Sequence, residues 1–534
     1  MSVLPVTETS IRPEFPEQQG IGRYKAGAHW KDLPLIEKIR TIFIAAMKIW
    51  IASIAIALIA GSIASLALLP HLALLVAAVA GMSAAILGTC LAASSIRDLY
   101  KVGDDNPTTP CSEETPKLGK WSQNRVYMTE NSADSVQMKL KLVEMAEHSI
   151  EISGSFCGGV IFDEMLTLIE KKLEANPKLT VKIIFCDDLV TSTNRKHIAR
   201  LGKKYPNQFY TLITKIQLHY FPTFRPEGNH TKMVVVDGTI CMTGGTGIQD
   251  MLSREGTEKG LSPNLTERFL GIGTRDMDAM IEGPLALTMR QQFYQLLAKW
   301  NKKTSSGEKY GTDAPVNLVK KPIARAVPFF DQLGITGSPA DATLLASGFE
   351  HGSECEIKLA YLQMIRAAQK TIYIANLNLN YPEIQEAVEE AARRGIQVTI
   401  ITNGDNSTTP FLTKILGVVN RSNMYGLSQY GVKCHEFSRD NILYHKKVMV
   451  VDGQLTTIGS FNISHDCVIC YDEEVAIIDS VEIASKTISS LQQDIWMSTP
   501  LLKSEYDGIW GTVRFAVNEF RAAVLMQATG YFFQ

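Results

Sequence analysis

The segment His230-Thr231-Lys232-Met233-Val234-Val235-Val236-Asp237-Gly238 returns later in the chain as His445-Lys446-Lys447-Val448-Met449-Val450-Val451-Asp452-Gly453. Each copy reads H-x-K, four residues, D-G, and each is closed by a glycine and a small residue, Gly244-Gly245 and Gly459-Ser460. A pattern that recurs at fixed offsets restricts the fold to one unit used twice. The rest of the sequence is read against that duplication.

The residues between Lys and Asp are apolar and mostly β-branched, so each segment reads as a buried strand. Positions i and i+2 of a strand share a face. His230 therefore points with Lys232, and His445 with Lys447. Asp-Gly is a two-residue hairpin signal. Placing the turn at Asp237-Gly238 sets Val236 against Thr239 and His230 against Gly245. The same count sets His445 against Ser460, so a small residue beside each ring leaves room for substrate. Each motif Asp lies about 20 Å along the strand from its own His. Asp237 and Asp452 thus read as turn-formers, not as the carboxylates that orient the imidazoles.

Two His-x-Lys pairs suit phosphodiester chemistry. A neutral His attacks phosphorus, and a protonated one gives its proton to the leaving oxygen. Two lysines and the amide of Asn462 hold the non-bridging oxygens as charge builds. The ammonium groups supply positive charge, so the reading requires neither a metal nor another cofactor.

The two segments resemble the HKD motifs of the phospholipase D superfamily. With an apolar N-terminus ahead of them, the chain is similar to bacterial cardiolipin synthases. The resemblance implies two α/β halves (mixed sheets flanked by helices) facing each other across a pseudo-two-fold axis with one active site between them. It also implies a phosphohistidine intermediate resolved by water or an alcohol. Thr274-Arg275-Asp276 and Ile281-Glu282-Gly283-Pro284 resemble the family's W-R-D…E-G-P segment, with Thr for Trp. That assigns Asp276 as the acid orienting His230. Asp472-Glu473-Glu474 fits the downstream acid of the second half, with Glu474 favoured and Glu473 next. Family habit makes His230 the nucleophile and His445 the general acid. Two departures stand out. Gly244-Gly245-Thr246-Gly247 lacks the usual Asn, although Asp250 fits the cardiolipin synthase pattern, and His465-Asp466 stands where the family often has Arg-Ser.

The 534 residues carry a net charge of −2, which gives no support to a nucleic-acid partner. Nine scattered cysteines fit a reducing compartment. Cys467-Val468-Ile469-Cys470, a lone CxxC near His465, reads as packing and not as a zinc site. From Ile49 to Ile96 there is no Asp, Glu, Lys or Arg. That is enough for two spans of about 20 residues each, turning at Pro70-His71. Lys31, Lys38, Arg40 and Lys48 before it, and Arg97 and Lys101 after it, place both ends in the cytoplasm. The similarity to bacterial cardiolipin synthases implies a bacterial inner membrane, whereas the short two-span hairpin also resembles the bilobed hydrophobic region of inclusion-membrane proteins from intracellular bacteria, which implies a host-derived inclusion membrane.

The expected organisation is a flexible segment over 1–37, a transmembrane hairpin over 38–100 and a linker over 101–124. The first half follows over 125–301, then a linker over 302–320, the second half over 321–500 and a C-terminal segment over 501–534. In the first half, helices are expected over Val136–Ala146, Ile161–Leu173 and Leu287–Trp300, with strands over His148–Ser153 and Val181–Phe185. The second half repeats the order with helices over Ile357–Ala368, Pro382–Arg394 and Val481–Trp496, and strands over Thr371–Ala375 and Gln397–Ile401. The resulting reading is a membrane-anchored phosphodiesterase or phosphatidyltransferase acting on phospholipid. Its alternatives are a nuclease of the same superfamily and a catalytically weak membrane scaffold. Oligomeric state is not encoded in any feature of the sequence.

Overall fold

The computed structural model describes residues 120–502 apart from 188, 220–224, 257–270, 304–307, 314–324, 349, 352–354 and 405–410. The expected transmembrane hairpin and the aromatic C-terminal stretch lie outside these residues. Among the described residues no helix is long and apolar enough to cross a membrane.

The first half runs β1 (Ser122–Met128), α1 (Ser132–Met145), β2 (Ser149–Gly154), α2 (Gly159–Ala175), β3 (Thr180–Cys186), α3 (Ser192–Lys204) and β4 (Phe209–Thr214). It continues through β5 (Gln217–His219), β6 (Arg225–Asn229), β7 (Met233–Val236), β8 (Ile240–Gly244), β9 (Gly273–Arg275) and β10 (Asp278–Glu282) to α4 (Pro284–Lys303). Strand β11 (Glu308–Gly311) and a short α5 (Phe329–Leu333) lead to the second half. That half opens with β12 (Ser338–Ser347), α6 (Glu356–Ala367), β13 (Thr371–Asn376), α7 (Pro382–Arg393), β14 (Gln397–Asn403), α8 (Phe411–Ser428) and β15 (Lys433–Phe437). It closes with β16 (Ile442–Tyr444), β17 (Lys447–Val451), β18 (Leu455–Gly459), α9 (His465–Ile469), β19 (Tyr471–Asp479), α10 (Val481–Trp496) and β20 (Ser498–Pro500). The fold is mixed α/β. Within the stretch expected to be a linker, β11 pairs antiparallel with β4, Lys309 facing Leu212.

Strand pairing repeats as well as order. β2, β3 and β4 are parallel, and β2 is followed antiparallel by β7, β8, β10 and β1. β13, β14 and β15 are parallel, followed in the same way by β17, β18, β19 and β12. β1 and β12 pair antiparallel, Ser122 facing Ala342, so one sheet passes through both halves. The central strands are apolar on both faces because helices cover both.

Alternation along the motif strands divides their side chains between separate cores. Val234 and Val236 enter a core of the first half with Phe162, Leu166 and Phe185. Met449 and Val451 enter its counterpart with Tyr361, Ile372 and Ile384. Met233, Val235, Val448 and Val450 enter a third core that both halves build, with Phe293 and Trp300 from α4 and Ile483 and Leu491 from α10. This shared core fixes the two motif strands relative to each other.

The expected hairpin register is off by one residue. Val236 pairs with Ile240, and Val451 with Leu455. Asp237 and Gly238 have φ of 55° and 61°, and Asp452 and Gly453 have 54° and 66°, so both central positions of each turn are left-handed as the Asp-Gly pair predicts. The extra residue in each loop has its carbonyl engaged elsewhere: Thr239 accepts from the Gly283 N–H at 2.9 Å, and Gln454 from the Ser480 N–H at 3.1 Å. Neither carbonyl is left to close the tighter ladder.

Candidate active site

The motif aspartates fasten the sheet. Asp237 accepts from the N–H groups of His148 at 2.7 Å and Ser149 at 2.9 Å, where β2 begins, and pairs with Arg325 at 2.6 Å. Asp452 accepts from Gln369, Lys370 and Thr371 at 2.7–2.9 Å, where β13 begins. Each carboxylate thus satisfies donors that the strand leaves unpaired. It takes no part near the histidines.

Both histidines sit just before their motif strands, and the opposite half holds each one. The His230 N–H donates to the Asp472 carbonyl at 3.0 Å, and His230 Nδ1 lies 2.8 Å from Oε1 of Glu473, the next residue. The His445 N–H donates to the Arg275 carbonyl at 2.9 Å, and His445 Nδ1 lies 2.6 Å from Oδ2 of Asp276, again the next residue. Short parallel pairings carry these crossings: β19 against β6, and β16 against β9.

This corrects two expectations. Asp276 orients His445, not His230, because β9 runs beside β16 of the second half. The acid at His230 is Glu473, not Glu474. Successive residues of β19 point to opposite faces, and Glu474 faces away. It accepts from the Lys232 N–H at 2.8 Å and Thr243 Oγ1 at 3.1 Å. The small residues after the motifs also have a different purpose from the one expected. A Cβ on Gly245 would lie 2.2 Å from the Asp276 carboxylate. The Ser460 hydroxyl hydrogen-bonds both Glu473 and Glu474. The space beside each ring holds the orienting acids.

The lysines repeat the symmetry. Lys232 Nζ donates to the His230 carbonyl at 2.8 Å and lies 3.1 Å from His230 Nε2. Lys447 Nζ donates to the His445 carbonyl at 2.6 Å. All four motif side chains are largely buried; His230, with 15 % of its side chain exposed, is more open than His445 with 5 %. A carboxylate only accepts, so each Nδ1 carries a proton and each Nε2 keeps its lone pair, which at His230 faces Lys232 Nζ.

Burial dominates the electrostatics. It lowers His230 and Lys232, and it lowers His445 strongly, aided by the charges of Lys447, Lys232 and His230. Burial also brings Lys447 down to about 7. Burial raises Asp276 to about 6, against the pull of Lys447. The adjacent glutamates divide. Burial pushes Glu474 up to about 8, whereas the charges and hydrogen bonds of His230 and Lys232 outweigh burial and hold Glu473 below the usual carboxylate range. Near neutrality one glutamate is ionised and its neighbour keeps a proton, as like charges in one site require.

Asn462, two residues past Ser460, is buried with its amide Oδ1 unpaired among the described residues. The first half has no room for its counterpart: a Cβ on Gly247 would meet Leu252 Cδ1 at 2.6 Å and the Phe156 carbonyl at 3.0 Å. Asp250 is remote from the chemistry. It caps α2 by accepting from Val160 and Ile161 N–H at 3.0 and 2.9 Å.

Motif reading missed the supports behind the acids. The residue before each orienting acid is charged and is anchored to a long helix of the other half, with opposite polarity on the two sides. Arg275 Nε pairs with Asp494 of α10 at 2.7 Å. Asp494 also receives Lys446 Nζ at 2.5 Å and the Tyr444 hydroxyl at 3.0 Å. Asp472 pairs with Lys299 at 2.5 Å and accepts from Trp300 Nε1 of α4 at 2.7 Å. The one available signal is the charge at Arg275 and Lys446, each next to a candidate site residue and each buried.

Two histidine–carboxylate pairs, each completed across the halves, make up one candidate active site. Residues 361–496 match the family described as cardiolipin synthase, PLD-like domain. The chain is 23 % identical to cardiolipin synthase A of Pectobacterium atrosepticum over 403 residues, 73 % of each protein. It is 26 % identical to a cardiolipin synthase of a Geobacillus species over 274 residues, 51 % of this chain and 47 % of that one. The fold is similar to the crystal structure of phosphatidylserine synthase from Haemophilus influenzae, with a TM-score of 0.55 and 14 % identity, covering 80 % of this chain and 97 % of that one. Residues 361–496 thus carry a cardiolipin synthase, PLD-like domain, and over 73 % of its length the chain is similar to a bacterial cardiolipin synthase.

Proposed function

We propose that the protein is a membrane-anchored phosphatidyltransferase that moves a phosphatidyl group from a phospholipid through a phosphohistidine on His230. The observation that carries this reading is the pair of crossed histidine–carboxylate contacts, His230–Glu473 and His445–Asp276, each with a motif lysine bonded to the carbonyl of its histidine. The named activities of the curated relatives, cardiolipin synthases, point to phospholipid as substrate. The charge-free stretch from Ile49 to Ile96 supports anchoring, which would hold the site at the bilayer surface.

His230 is the nucleophile in this scheme because it is the more open ring and its Nδ1 proton is held by an acid kept ionised. Its Nε2 forms the bond to phosphorus as the bond to the leaving oxygen breaks. His445 is protonated in this scheme only once the anionic phosphodiester is bound, when the substrate charge and Asp276 offset the burial and the positive neighbours that lower it, and it then gives the leaving oxygen its Nε2 proton. An acceptor alcohol, or water, then gives a proton back to His445 and attacks phosphorus, releasing His230. Lys232, Lys447 and the Asn462 amide hold the non-bridging oxygens.

Incubation of the purified protein with phosphatidylglycerol, with and without a primary alcohol, tests the reading. Cardiolipin, and phosphatidyl-alcohol when alcohol is added, are the expected products. Absence of these and of phosphatidic acid would sink it.

A further inference from the structure

One side chain beside His230 has no place in the reaction just described. Cys467, on α9, is 3 % exposed, and its thiol hydrogen-bonds Glu473. Cys467 Sγ, a ring nitrogen of His230 and a carboxylate oxygen of Glu473 lie within 4.8 Å of one another. Two protons, one on His230 Nδ1 and one on the thiol, therefore converge on a single carboxylate. Among the described residues this is the one cluster of its kind.

We propose that a thiophilic divalent cation, of which zinc is the physiological example, binds this triad through His230, Cys467 and Glu473 and switches the site off. Imidazole, thiolate and carboxylate are the donor set that zinc takes, and three protein ligands leave its fourth position open. A thiolate selects against magnesium and calcium.

The exchange balances. The cation enters, and the thiol proton leaves to solvent as the metal–sulfur bond forms. His230 remains neutral, its proton moving from Nδ1 to Nε2 so that Nδ1 can ligate. The two charges of the cation are matched by thiolate and carboxylate. Lys232, 3.1 Å from Nε2, must yield that contact, and it already has a second acceptor in the His230 carbonyl at 2.8 Å. With a proton on Nε2 the ring has no lone pair to offer phosphorus, and Glu473 no longer orients it. The second dyad, His445 with Asp276, has no cysteine in such a cluster and gains no cation.

The binding half of this proposal stands apart from the proposed reaction; the inhibition half rests on it. Cadmium titration of the full chain in detergent, followed by the ultraviolet thiolate-to-cadmium band, reads binding alone. The band is expected in the parent chain and in Cys470→Ser, and it is expected to be lost in Cys467→Ser and Cys467→Ala. Circular dichroism of both variants confirms that they are folded. In the transfer assay, zinc should inhibit the parent chain and a chelator should restore it. The zinc concentration for half-inhibition should rise about tenfold or more in Cys467→Ser. A band that persists without Cys467, or that never forms, overturns the site. A band without zinc inhibition, or equal inhibition of Cys467→Ser, overturns the switch. A metal-free protein with no transfer activity but an intact band refutes the proposed function and leaves the site standing.

Discussion

Asp276 Oδ2 lies 2.6 Å from His445 Nδ1, so the acid that orients the second histidine comes from the first half of the chain. Glu473 returns the arrangement at His230. The crossing sets the terms on which each residue can be tested.

The two histidines should separate by the step they support. With a phospholipid analogue whose leaving group needs no proton, His445→Asn should still form an acid-labile phosphoenzyme, while His230→Asn should form none. Rapid-quench labelling with radioactive substrate checks this. Label on His445→Asn turning up at another residue would remove His230 from its assigned role. Turnover of natural substrate should fall about 10²- to 10⁴-fold in either variant.

Asp276→Asn should lower kcat by about 10²-fold or more with little change in KM, since an amide no longer favours the imidazolium at His445. Gly245→Ala should reproduce much of that loss, because its Cβ would lie 2.2 Å from the Asp276 carboxylate. Gly453→Ala is the control. Its Cβ meets nothing within 4 Å, although its φ is +66°. It should cost about 1–2 kcal/mol of stability and leave kcat unchanged. Equal kinetic damage from both glycine variants would contradict this account.

Stability should depend on pH through Glu474. Its folded pKa is raised by burial from 4.5 to about 8, so the folded protein keeps a proton that the unfolded chain has released. Stability then falls as pH rises from about 4.5 through about 8 and levels above it. Glu474→Gln removes this term. Thermal melts of parent and variant across that range should diverge, with the variant gaining relative to the parent towards pH 8. A constant difference in melting temperature would refute the assignment.

Asp494→Asn should act at a distance from phosphorus. It leaves Arg275 and Lys446 buried without their counter-charge, a loss of about 3–5 kcal/mol for a broken buried pair. It also loosens Arg275, whose carbonyl takes the His445 N–H. Reduced melting temperature and reduced kcat are expected together. Asp494→Glu should recover part of both. A variant as active and as stable as the parent would show that the network does not position His445.

Much of this was legible because its physics is local. Runs of apolar, mostly β-branched residues place β7 and β17, and Asp-Gly places their turns. The order of helices and strands in one half predicted the other, and Val481–Trp496 matches α10 end to end. What was not legible is long-range pairing. No local pattern tells that β9 lies beside β16, so Asp276 was matched to the histidine of its own half. Glu473 and Glu474 are neighbours of like chemistry, and only the strand's alternation against β6 separates them. The helix Phe411–Ser428 and strand Ser338–Ser347 carry no clear local pattern, because Gly and Asn interrupt the first, and Pro and Asp the second. The one-residue slip in each hairpin comes from a carbonyl bonded to the start of a distant helix segment, which the turn sequence does not encode.

The reciprocal loan of carboxylates removes any redundancy that duplication might have provided. A chain with two matching segments carries no spare: damage to β9 disarms the histidine of the later segment, and damage to β19 disarms that of the earlier one. The two junction strands must therefore stay in step, since a fault in either reaches the one shared centre.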